Sequence, residues 1–288
     1  MSPKKNTVAS VKGQLLNIAR STGKNHQLLL LRYFQERFLY RLSLSVHRDK
    51  FCLKGAAFLY ALQQEKSRIT KDIDFLGIGI PSSHSVLRKI VTEICAIEYA
   101  ADGVIFDPAS LTMEDIIKDG NYQGIRIHLI GYLDRTKQRM QVDIGFGDVV
   151  LPAPQAMVYP VILDMEAPNL LAYSVESVIA EKFEAMIDLA EANTRMKDFY
   201  DVYHLLVNQP IHYDILEKAI QETFKQRGTA ILPKHSLFEP NFHRDSIRMA
   251  RWQAWLRKTR LNPDLAYETV IQKIIADLKP IYLRLVQK

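Results

Sequence analysis

Residues 72–80 read DIDFLGIGI, and the alternation in that stretch decides where the chemistry can lie. Successive side chains on a strand point to opposite faces. Asp72 and Asp74 therefore share one face, while Ile73 and Phe75 turn into a core. Two like charges held this close repel unless a cation neutralises them. Hard divalent ions take oxygen ligands, and a pair of them can clamp the attacking and leaving oxygens of a phosphoryl transfer. Acidic residues at a strand end are also commonly just solvated, so the pair needs company before it means a site.

Residues 140–150, MQVDIGFGDVV, supply that company. Asp143 lies in an apolar strand, on the face of Gln141 and Gly145, with Val142 and Ile144 on the other. Gly145 and Gly147 remove side chains beside it, which lets a ligand or backbone approach. A strand neighbouring residues 72–80 would complete a metal-binding triad of Asp72, Asp74 and Asp143. Upstream, the strand-like residues 51–53 run into Lys54-Gly55-Ala56-Ala57 and a helix over 55–62. A small-residue turn at a helix N-terminus offers free N–H groups and a favourable dipole to a triphosphate. The same small residues also suit plain tight packing.

Further strands are expected over 104–106, 122–133 and 138–147, with a hairpin turn over 134–137 and a helix over 83–96. The fold class is therefore α+β, a mixed sheet with helices beside it. Residues 6–44 show helical periodicity broken near 21–23, which predicts two helices. After the proline-rich residues 151–160 the pattern becomes helical over 174–192, 197–206, 213–227, 244–258 and 265–285, with 228–243 expected as a loop. This predicts N-terminal helices over 1–48, a core over 49–167 and a helical part over 168–288.

Two polar residues interrupt apolar helical faces in that last part. Lys182 lies within the stripe of Val175, Val178, Ile179, Met186 and Leu189. An inward ammonium requires a carboxylate partner or a phosphate-filled cleft, unless the side chain snorkels from the stripe's edge. Asp198 shares the face of Val202, Leu205 and Leu206, with Asp201 on its flank. Capping of a helix N-terminus would also explain Asp198.

Composition narrows the class. With 288 residues, 48% hydrophobic and 24% charged, the chain has the makings of an ordinary globular core and not of a disordered one. Cys52 and Cys95 lack CxxC spacing, so neither a disulfide framework nor a zinc site is indicated. No signal-peptide core or membrane-spanning run is present, and a cytoplasmic protein without membrane partner is expected. The formal charge of +6 permits a polyanionic partner.

Taken together, residues 53–58 (LKGAAF), 68–75 (RITKDIDF), 140–147 (MQVDIGFG), 180–186 (AEKFEAM) and 197–206 (KDFYDVYHLL) resemble the AbiEii/AbiGii nucleotidyltransferase toxins of bacterial toxin–antitoxin and abortive-infection systems. The resemblance implies a DNA-polymerase-β-like nucleotidyltransferase core with a helical C-terminal part. It implies that Asp72 and Asp74 bind magnesium with Asp143 as third carboxylate, and that Lys54, Gly55, Ala56 and Thr70 lie near the nucleotide. It further implies that Lys182 contacts the nucleotide, with Asp198, or Asp201 as second candidate, completing the catalytic set. Ala56 departs from the Gly or Ser usual after the first Gly of the turn, which keeps the N–H and forfeits a hydroxyl. The expected activity is transfer of NMP from an NTP to a hydroxyl, foremost the 3′ end of tRNA, with a cognate antitoxin as partner. Transfer to a protein or small-molecule hydroxyl, and a non-catalytic nucleotide-binding module, are the alternatives.

Overall fold

Gly23, at φ +67°, ends the first helical stretch where periodicity fails. The computed structural model describes residues 5–64, 70–118 and 122–287; Arg68 and Ile69 of the RITKDIDF segment lie outside the described residues. Helix α1 (Lys5–Thr22) gives way to α2 (His26–Leu44), whose N-cap Asn25 accepts from the backbone N–H groups of Gln27 and Leu28. Such a cap satisfies donors that have no intrahelical partner.

The chain divides into two compact units, Met1–Gly147 with Gln155–Ala172, and Asp148–Pro154 with Tyr173–Lys288. The first is built on a seven-stranded mixed sheet. Its strands are β1 (Phe51–Lys54), β2 (Asp72–Gly77), β3 (Val104–Lys118), β4 (Tyr122–Leu133), β5 (Thr136–Phe146), β6 (Gln155–Val158) and β7 (Asn169–Ala172), in the order β3-β4-β5-β2-β1-β7-β6. Strand β2 runs parallel to β5 and antiparallel to β1, and β1 runs parallel to β7. This is an α+β architecture, as the alternating and helical patterns predict.

The helices of this unit are α1, α2, α3 (Gly55–Gln63) and α4 (His84–Cys95). Phe34, Phe38, Phe75, Ile73, Ile127, Val142, Ile144 and Leu87 are buried in its core. Helix α2 also buries charge. Arg41 grips Asp102 through two nitrogens, at 2.7 and 3.2 Å, and donates to the carbonyls of Ile97 and Val104. A buried arginine is tolerable because so many of its donors are met.

The structure lengthens one sequence reading, adds two strands and puts helical turns into the stretch expected as a loop. Strand β3 spans 104–118 where the pattern suggested only 104–106; Asp107–Thr112 is irregular, and the register shifts across it before pairing with β4 resumes. Strands β6 and β7, four residues each, come from the proline-rich stretch and the segment just after it. Residues 228–243 carry a 3-10 turn (Ser236–Phe238) and the first residues of a short helix.

The second unit is helical: α5 (Val175–Leu189), α6 (Met196–Asn208), α7 (Tyr213–Arg227), α8 (Pro240–Arg244), α9 (Ser246–Thr259) and α10 (Tyr267–Val286). Phe183, Phe224 and Tyr282 form one aromatic cluster in its core and Phe199, Trp252 and Tyr267 another, with ring centroids about 6 Å apart. No described helix is long and apolar enough to cross a membrane, and both cysteines are buried and outside any disulfide.

Candidate active site

The strand register places charge in a row across the first sheet. Lys54 of β1 pairs with Asp74 of β2, Asp74 with Asp143 of β5, Asp143 with Arg126 of β4, and Arg126 with Glu114 of β3. Residues in one such row project from the same face. Two residues along β2, Asp72 pairs with Gln141, which pairs with His128. The alternate positions, Ile73, Val142 and Ile127, are buried on the other side. A period of two is thus enough to sort a polar working face from an apolar packing face.

On that face Asp72, Asp74 and Asp143 bring one carboxylate oxygen each within 4.8 Å of the others, all three part-exposed. The three residues expected to form a triad are therefore together. Gly55 makes room for them. It begins α3 directly after β1 at φ +63°, and a Cβ added there would lie 2.1 Å from Oδ2 of Asp74. Lys54, the residue before it, occupies the N-cap position, and Ala56 is buried in the first turn. The convergent set of oxygen donors, with a side-chain-free backbone against one of them, could hold a hard metal cation.

Each outer carboxylate is fixed by a neighbour. The Thr70 hydroxyl lies 2.7 Å from Oδ1 of Asp72 and 2.9 Å from its carbonyl oxygen. Arg126 donates to Asp143 through Nε (2.9 Å) and Nη2 (2.8 Å), and the Gln141 amide reaches the same oxygens at 3.1 and 3.2 Å. The hydrogen bond to Asp143, foremost, holds the Arg126 guanidinium above its ordinary pKa. Arg126 also lies 3.8 Å from Glu114, and His128 3.7 Å from the same carboxylate. Two donors on one carboxylate orient it and offset part of the repulsion among three like charges.

Arg126 was not among the residues singled out from sequence. The signal was there: in β4, Arg126 and His128 alternate with the buried Ile125, Ile127 and Leu129, which marks a polar face on that strand.

The other expected site residues meet in the second unit. Nζ of Lys182, on α5, lies 2.6 Å from Oδ1 of Asp198 and 2.9 Å from Oδ2 of Asp201, both on α6. All three side chains are largely buried, at 13%, 7% and 4% exposure, so Lys182 is an inward ammonium with carboxylate partners and not a snorkelling one. Asp198 is in the first turn of α6, but the N-cap is Arg195. Its carboxylate serves the lysine and not the helix end. Burial would raise the Asp198 pKa; the Lys182 charge and hydrogen bond outweigh it and hold the carboxyl below its usual range.

Residues 37–273 match the family described as nucleotidyl transferase AbiEii toxin, type IV toxin–antitoxin system. Among solved structures, JHP933 from Helicobacter pylori resembles the chain with a TM-score of 0.53 at 14% identity, over 91% of this chain and 95% of its own. A second H. pylori protein, provisionally classed as a nucleotidyltransferase, gives 0.50 at 15% identity, over 92% and 98%. At such identities the likeness is one of fold. No curated protein matches the chain.

Proposed function

This chain belongs to the AbiEii nucleotidyl transferase toxin family of type IV toxin–antitoxin systems, and on that premise we propose that it transfers a nucleoside monophosphate from an NTP to the 3′ end of tRNA, with magnesium held by Asp72, Asp74 and Asp143. Membership makes it a nucleotidyltransferase and implies a nucleotide substrate and an antitoxin partner. The observation that carries the site assignment is the convergence of the three carboxylates, oxygens within 4.8 Å, over the bare backbone of Gly55.

In the transfer, the acceptor hydroxyl oxygen bonds to the α-phosphorus, the bond to the bridging oxygen breaks, pyrophosphate leaves and the hydroxyl proton passes to solvent. A divalent ion supplies positive charge against the phosphoryl oxygens. The protein's own part is orientation. Arg126 and Gln141 fix Asp143, Thr70 fixes Asp72, and Gly55 admits Asp74 to the cluster. Backbone N–H groups in the first turn of α3 suit triphosphate oxygens, a contact that Ala56 leaves available. Lys182 is assigned to the nucleotide, with Asp198 and Asp201 holding its ammonium in place. The charge of +6 fits an RNA acceptor. Growth inhibition would follow from tRNA that can no longer serve translation.

The test is incorporation of α-labelled NTPs, each in turn, into purified tRNA, with magnesium or with chelator, by the wild type and by Asp74→Ala. Label at the tRNA 3′ end that disappears with chelator and in the variant is expected. Label on protein instead of RNA, or undiminished labelling by Asp74→Ala, overturns the reading.

A further inference from the structure

Positive charge is most densely packed in seventeen residues late in the chain. Between 244 and 260 there are six cations (Arg244, Arg248, Arg251, Arg257, Lys258 and Arg260) and one anion, Asp245, a net of +5 against +6 for the whole protein. Residues 1–35 also carry six cations and no anion, but over twice the length, and the rest of the chain is net −5. From this concentration we infer that the solvent face of α9, with its C-terminal end, is where the RNA acceptor's phosphate backbone binds; the inference rests on the RNA-acceptor reading above.

The structure separates the charge with a packing role from the charge without one. Arg248 is committed: its guanidinium lies 4.2 Å from the Phe242 ring and donates to the Glu191 carbonyl at 2.9 Å. Asp245 is committed too, accepting from the Arg248 backbone N–H as N-cap of α9. The other five cations are exposed, and none has an ion-pair partner among the described residues. Buried Trp252 and Leu256 hold the helix to the core from its other side, with Trp252 Nε1 donating to the Leu265 carbonyl at 2.6 Å.

Arg257 and Lys258 would lie favourably at any helix C-terminus. Arg251, in mid-helix, has no such role. It shares a face with Lys258, seven residues or about 10 Å along the axis, and between them that face carries the exposed Ala254 and the half-buried Trp255. With only a methyl group and a half-buried indole ring between the cations, a sugar-phosphate chain can lie close. Guanidinium forks match phosphate oxygens, and such a patch is the usual electrostatic footprint of a nucleic-acid site. A protein partner would instead be expected to anchor on large side chains, which α9 exposes only at its start, as Ile247 and Met249.

The test is equilibrium binding of purified tRNA to the whole protein in chelator, so that no turnover occurs, across a salt series. The triple variant R251A/R257A/K258A is compared with the charge-matched control R135A/K137A/R139A on the exposed β4–β5 hairpin and with I247A/M249A. The α9 triple should weaken binding at least tenfold at low salt and lower the slope of log K against log salt by about two to three, one unit or slightly less per lost phosphate contact. The control and the apolar pair should stay within twofold of wild type. Wild-type affinity and slope in the α9 triple, equal weakening by the control, or loss of antitoxin binding in place of RNA binding would each overturn the proposal. Because no chemistry is read, loss of RNA binding in the α9 triple supports it even where tRNA labelling fails.

Discussion

The guanidinium of Arg126 holds both oxygens of Asp143, at 2.9 and 2.8 Å, from the directly opposed position on the neighbouring strand. The third carboxylate of the cluster is therefore oriented and partly neutralised by a residue with no place in the family segments. Removing that charge leaves three carboxylates to repel one another unless a cation joins them.

Arg126→Gln should accordingly make folding more dependent on magnesium. Arg126 is about one-third exposed, so the expected loss in chelator is only about 1 kcal/mol, a fall of about 2–4 °C in melting temperature. Added magnesium should raise the variant's melting temperature more than the wild type's. Thermal melts with and without the ion check this, and equal magnesium-induced shifts would refute it.

Gly55→Ala should abolish transfer while leaving a folded protein. The left-handed conformation at φ +63° costs a non-glycine residue about 1–2 kcal/mol, which a stable domain survives. The added methyl carbon, 2.1 Å from Oδ2 of Asp74, forces the carboxylate away from its partners. A displacement of about 1 Å costs on the order of 100-fold in rate. NTP incorporation and a melt on the same preparation separate the two effects; near-wild-type incorporation would show that Asp74 can move at no cost.

How much of this was legible depends on the length scale of each signal. Asp72, Asp74 and Asp143 declared their faces because a strand's period of two is local. The pairing of Arg126 with Asp143 was not legible, because register depends on the turn. A turn over 134–137 would set Leu133 opposite Gln138 and carry His128, not Arg126, to Asp143. The hairpin closes instead between Leu133 and Thr136, with Asp134 at φ +54°, and that two-residue difference decides which side chain meets the carboxylate. Residues 111–118, LTMEDIIK, contain good helix formers and become strand because β4 offers a paired edge, a tertiary override of propensity. Lys182 and Asp198 can be read as inward from helical periodicity alone, and two inward polar residues on successive helices point to a shared polar site, which their 2.6 Å ion pair forms.

Glu36 should make stability fall as pH rises through neutrality. It is buried on α2, accepting from Arg32 Nε at 2.7 Å and from the Ile162 N–H at 2.9 Å. Burial, only partly offset by Arg32, pushes its carboxyl up to about 7. Unfolded, a glutamate titrates near 4.3, so between roughly pH 4.3 and 7 the folded state holds more protons and each rise in pH favours unfolding. Glu36→Gln keeps an acceptor oxygen and removes the proton. Chemical denaturation from pH 5 to 8 should show a shallower decline for the variant, and parallel profiles would mean that Glu36 ionises as readily when folded.

Lys182 and Asp198 give the sharpest test because stability and chemistry predict different patterns. Lys182→Met would leave Asp198 and Asp201, 7% and 4% exposed, without their shared cation, at a cost of about 3–5 kcal/mol. Asp198→Asn leaves Asp201 to hold the ammonium, so its cost should be smaller. The double variant should be less destabilised than the sum of the two, by about 1 kcal/mol or more. The pH sign is opposite to that of Glu36. The Asp198 carboxyl is held below its ordinary value, so its contribution is present above the unfolded value of about 3.9 and is lost as pH falls through the depressed one. Wild type and Asp198→Asn should therefore differ at pH 7 and converge in acid. A nucleotide role adds what packing alone would not. Lys182→Met/Asp198→Asn, with its stability partly restored, should still fail to incorporate NMP at saturating tRNA. Recovery of incorporation in step with recovery of stability would make the pair a structural brace and remove Lys182 from the reaction.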